Sequence, residues 1–76
     1  MAGFTYKVEK KCGVIGEHGD NSVELRLVSY GGREAKYDIR PWFTDEKGQE
    51  RMGKGITLTD EELQILHDLI EEELGL

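Results

Sequence analysis

Lys36, Asp38, Arg40 and Trp42 fall at alternating positions in the run KYDIRPWF. In an extended strand such residues share one face. That face would carry two cations and the chain's only indole. Cations neutralise phosphates and a flat ring stacks on bases, at about 1–3 kcal/mol per base. This is chemistry for holding a single nucleic-acid strand, not for breaking a bond. The other parity, Ala35, Tyr37, Ile39 and Phe43, suits a core. Alternation adds Lys7 and Lys11 from an earlier run to the cationic face, with Arg26 and Tyr30 from a second. The candidate nucleic-acid-binding residues are Lys7, Arg26, Tyr30, Lys36, Arg40, Trp42 and Lys54.

Three ambiguities accompany that set. Arg26 and Arg40 could instead form ordinary ion pairs with Glu24, Asp38 or Glu34. Strict alternation puts Lys54 beside Met52 and Ile56, towards the core. Its flanking glycines, Gly53 and Gly55, allow a bulge that would re-aim it, and an edge charge that blocks strand addition is the third option. Pro41 cannot donate to a ladder and so marks an edge or a bulge. Trp42 is favoured over Phe43 as the ring facing a ligand.

The elements that must position these side chains are four strands, at about 4–17, 22–30, 35–43 and 50–57, and a helix at about 60–74. His18-Gly19-Asp20-Asn21, Gly31-Gly32 and Asp45–Gly48 supply the turns. Short connections imply an antiparallel meander. The period then changes. Thr59 and Glu62 fit a capping box, and Asp60, Glu61 and Glu62 suit the positive end of a helix dipole. Leu63, Leu66, Leu69 and Ile70 make an apolar stripe at helical spacing. The expected class is α+β: a curved four-stranded antiparallel sheet with one C-terminal helix, in a single domain over residues 1–76. One sheet face is then left for solvent or a ligand.

A domain of 76 residues buries only about 60% of the surface of its unfolded chain. One cysteine excludes an internal disulfide, and alternation with Tyr6, Val8 and Val14 makes Cys12 a buried small apolar residue. Self-association is the remaining means of stabilisation. The net charge is −6, but unevenly spread: residues 1–59 hold ten cations and nine acids, while residues 60–76 hold seven acids and no Lys or Arg. A basic face survives on an acidic protein if the acidic element lies behind it, because potential decays over about 8 Å at physiological salt. No apolar run approaches the ~18 residues of a membrane span, and the N-terminus lacks a signal-peptide layout, so a reducing cytoplasm is expected. Metal-ligand spacings, G-x-S-x-G, a P-loop and H-E-x-x-H are all missing, and neither His18 nor His67 is associated with a nucleophile. An enzyme is not expected, and neither is a cofactor or a metal.

Asp38-Ile39-Arg40 followed by Trp42 and Phe43, a turn, then Lys54-Gly55-Ile56-Thr57-Leu58 leading into an acid-capped helix, resembles the positive-cofactor-four transcriptional coactivator family. The likeness is nearest to its short bacterial branch, the YdbC-type proteins, and is stronger over residues 22–70 than over 1–21. It implies a homodimer with helices at the interface, and sheet grooves that bind single-stranded DNA with little sequence preference. Tyr30, Arg40, Trp42 and Lys54 match family positions. Pro41 and Val28 depart from the pattern, and the Ser- and Lys-rich tail of the eukaryotic members is missing. The reading is a homodimeric single-stranded-DNA-binding protein of transcription, replication or repair, with transcription or repair proteins as further partners. RNA could bind the same face. The rivals are an RNA-binding regulator and a protein-interaction module that uses the acidic helix.

Overall fold

The computed structural model describes residues 5–76. Strand β1 (Tyr6–His18) turns through Gly19-Asp20 into β2 (Asn21–Tyr30). Gly19 has φ +63°, and no described residue other than glycine has positive φ. Positive φ at the first place of a two-residue turn is what a hairpin with right-handed strand twist needs. Next come β3 (Lys36–Thr44), β4 (Glu50–Met52), β5 (Ile56–Leu58) and helix α1 (Asp60–Leu74). The sheet runs β1-β2-β3-β4, with β5 also paired to β3, and every pairing is antiparallel. The α+β class and the meander are as expected. The fourth run is broken into β4 and β5 around Gly53-Lys54-Gly55.

That break has a cause in β3. Pro41 offers no N–H, and the facing chain arches there: the Gly53 N–H donates to the Pro41 carbonyl at 2.9 Å. Trp42 pairs with Met52 and Ile39 with Ile56, so three residues face two. This is the bulge that the two glycines allow.

Strand β1 departs from simple alternation. Its 13 residues span the 10 of β2, with register shifts between Val8 and Lys10, Lys11 and Gly13, and Val14 and Gly16. Glu9, Cys12 and Ile15 are the unpaired extras, spaced by three. Each bulge bends the strand and adds right-handed twist. The curl is large. Tyr6 pairs with Tyr30 at one end of β2, and Trp42 pairs with Ser22 at the other. Eight residues of flat strand would separate them by roughly 27 Å. Instead the Tyr6 and Trp42 ring centroids lie 5.9 Å apart.

Two expectations are corrected. Cys12 is exposed, because it is a bulge residue and not a member of an alternating stripe. The most buried side chains are Val28, Trp42, Arg26 and Asp38, all on the face expected to be open. Curling closes that concave face on itself. On the other side α1 covers Leu25, Tyr37 and Ile39 only partly, across an apolar groove of about 550 Å³.

Helix α1 starts as its sequence dictates. The Thr59 hydroxyl accepts from the Glu62 N–H at 3.1 Å, and the Glu62 carboxylate accepts from the Thr59 N–H at 2.9 Å. Gly75, at φ +70°, ends it with its N–H on the Glu71 carbonyl. The helix has no buried residue, and none of the described helices is long and apolar enough to cross a membrane.

Candidate nucleic-acid interface

Strands β2 and β3 project Glu24, Arg26, Val28 and Tyr30 beside Lys36, Asp38, Arg40 and Trp42 on the concave face, since register partners share a side. Two clamps organise it. In the first, Arg26 donates Nε to Glu24 at 2.8 Å, and Nη1 and Nη2 to the two Glu50 oxygens at 3.0 and 2.8 Å. Its guanidinium lies 3.8 Å from the indole centroid of Trp42. A planar fork serves both contacts, which a lysine could not. Burial opposes the charge on Arg26, but Glu50 and Glu24 outweigh it and hold its pKa up. The bond from Arg26 holds the Glu50 carboxyl below its ordinary range.

In the second clamp the Tyr30 phenol donates to Asp38 Oδ2 at 2.7 Å, and Arg40 Nε donates to Asp38 Oδ1 at 2.5 Å. Arg40 also reaches the Gly53 carbonyl at 3.3 Å. Burial, then the bond to Asp38, pushes the Tyr30 phenol well above its usual range, so it stays a donor. Asp38 is fully buried and serves both partners.

Between the clamps lies an open groove of about 570 Å³, lined by Tyr6, Arg40, Glu50, Arg51, Met52, Gly53 and Lys54. Tyr6 is 36% exposed and meets Trp42 edge-on. Arg51 is held by Asp45, whose other oxygen ties the β3–β4 turn by accepting the Lys47 and Gln49 N–H groups. The acidic helix is on the far side of the sheet, against Leu25, Tyr37 and Ile39.

Arg40 and Lys54 therefore meet at the groove, with Lys54 exposed on the bulge. Tyr30 is half-buried at its edge, and Lys36 is exposed farther along β3. Three placements differ from expectation, Lys7 in its face and Arg26 and Trp42 in their burial. Lys7 pairs with Ser29 and lies on the face opposite Tyr6 and Tyr30, because the bulges of β1 reset its parity. Arg26 is 1% exposed and engaged by two glutamates. Trp42 lies on the concave side, and Phe43 takes the other parity. Yet Trp42 is 2% exposed, so its ring forms a floor beneath Tyr6 and Arg26 instead of an open platform. Its indole N–H is buried with no acceptor among the described residues. Tyr6, Arg51 and Glu50 are groove residues that alternation does not single out. Gly13 and Gly16, a residue type that marks strand bulges, are the one signal that the parity of Tyr6 needs recounting.

The family model described as transcriptional coactivator p15 (PC4) matches residues 18–69. The chain is also 43% identical over 68 residues to an uncharacterized protein of Treponema pallidum (strain Nichols), spanning 88% of this chain and 76% of that protein.

Proposed function

The chain belongs to the transcriptional coactivator p15 (PC4) family, and from that premise we propose that it binds single-stranded DNA as a cytoplasmic homodimer, without reading a defined sequence, in transcription, replication or repair. The supporting observation is the concave groove, where Tyr6, Arg40 and Lys54 converge on the side away from the acidic helix. Bases stack on the tyrosines over the rigid Trp42 floor. Phosphates follow Arg40 and Lys54, with Lys36 and Lys11 beyond them. Duplex is disfavoured because paired bases hide their faces from the rings. In this scheme the protein works as a binder and not an enzyme, which its family membership supports.

Fluorescence anisotropy with labelled oligo-dT and a matched duplex tests the reading. The single strand should bind more tightly. Lys36→Ala with Lys54→Ala should lower the slope of log K against log salt by about 1.4, near 0.7 for each single-strand phosphate left without its cation. Equal affinity for strand and duplex would end the proposal. An RNA competitor of equal length separates DNA from RNA preference.

The apolar side supports the dimer. Ile65, Leu69, Ile70 and Leu74 on α1 are 46–67% exposed, and Ile15 on β1 is 61% exposed. Contiguous apolar surface of this kind marks an association site. Sedimentation at micromolar concentration should give a dimer, and Leu69→Asp should give a monomer. A stable folded monomer of the unaltered chain would refute the dimer.

A further inference from the structure

Glu50 is the acid of the groove, and it bears on which base sits there, an inference that rests on the single-strand reading above. Its side chain is 42% exposed and lines the groove together with Tyr6, Met52 and Lys54. Both oxygens accept from Arg26, and Lys11 Nζ lies 3.8 Å from Oε2. A carboxylate offers about four acceptor positions, so the bidentate arginine leaves capacity on Oε1. The carboxylate is also held in place, because Arg26 is itself pinned between Glu24 and the indole of Trp42. A fixed anion facing a groove repels phosphate. What it accepts is an N–H from a base edge.

We propose that Glu50 is a specificity-determining residue that favours single-stranded bases with an exocyclic amino group, cytosine above all, over thymine. Cytosine offers its N4 amino group, the partner that a glutamate reads on a base edge. Thymine offers one ring N–H flanked by two carbonyl oxygens, and those oxygens would face the carboxylate. Both are pyrimidines with similar stacking surface, so the difference between them isolates the edge contact. The bond from Arg26 keeps Glu50 ionised at neutral pH.

The test compares oligo-dC with oligo-dT of equal length at pH 7.5 by anisotropy, using the unaltered protein and Glu50→Gln, with a matched duplex as a third ligand. The unaltered protein should bind oligo-dC about fivefold more tightly, the lower end of what a base-edge contact discriminates. In Glu50→Gln the ratio should fall to about one, because the amide also donates and can serve the thymine O4. The ratio is the readout, since a merely structural role for Glu50 would change both affinities together. Equal binding of the two oligonucleotides by the unaltered protein overturns the inference without any variant. A preference that survives Glu50→Gln overturns it too. In both cases tighter binding of the strands than of duplex leaves the single-strand reading standing. Binding of duplex as tightly as either strand removes that reading, and this inference with it.

Discussion

Arg26→Ala is expected to cost about 3–5 kcal/mol of folding stability, the range for removing one partner of a buried ion pair. The side chain is 1% exposed and makes three hydrogen bonds to two carboxylates. Without it Glu24 and Glu50 lose their shared cation, and the space above the Trp42 ring is left unfilled. A domain of this length has on the order of 5–10 kcal/mol in total, so the variant should be near the edge of folding. Urea unfolding followed by Trp42 fluorescence measures the loss. Arg26→Lys should fall between, since it keeps the charge but loses the fork and the flat stack. A loss of less than about 1 kcal/mol for Arg26→Ala would make the clamp an ordinary surface pair. The same clamp fixes a sign for acid. The folded carboxyl of Glu50 lies below its ordinary value of 4.5. Its contribution is therefore complete above that value and is lost as pH falls through the lower, folded one. Arg26→Ala should flatten that acid limb.

The helix and β3 are legible in the sequence because their signals are local. A capping box is four residues long, and Thr59 and Glu62 satisfy it within their own turn. The parity of Lys36, Asp38, Arg40 and Trp42 survives because β3 contains no register shift against β2. Strand β1 is not legible by alternation. Three extra residues in thirteen change the parity three times, so simple alternation puts Lys7 on the concave face and Tyr6 in the core. The burial of Trp42 is hidden for a related reason. No sequence rule places Tyr6, from the far end of the neighbouring hairpin, against it. The contact comes from the accumulated curl of the bulges, a property of the whole sheet. The ion pairs are readable as chemistry but not as depth. Arg26 with Glu24 and Arg40 with Asp38 both follow from strand spacing, yet the curl that buries them turns a surface pairing into a structural one.

The bulge between β4 and β5 links that architecture to the groove, and Gly55→Ala should break the link. A Cβ at Gly55 would overlap the Ile39 carbonyl oxygen and the Arg40 Cα and Cβ. Gly55 is not among the glycines with positive φ, so the requirement is for space and not for a special conformation. Backbone and a Cβ cannot swing aside as the end of a long side chain can, so the arch must move outward. The expected cost is about 3 kcal/mol, the upper part of the range for overpacking. Gly53→Ala meets the Pro41 ring at 2.8 Å and should cost less, because that contact is with a side chain. Gly13→Ala has nothing within 4 Å and should change stability by less than about 0.5 kcal/mol. The ranking Gly55, Gly53, Gly13 in thermal or urea unfolding is the prediction. A neutral Gly55→Ala would mean that β5 does not lie against β3 as described. The displacement should also be felt in binding. Lys54 sits on the arch, and Arg40 reaches the Gly53 carbonyl across it. Pushing the arch away separates the two cations that flank the groove while leaving both in the chain. Gly55→Ala should therefore weaken oligo-dT binding even under conditions where the variant is fully folded, which circular dichroism can establish before the titration.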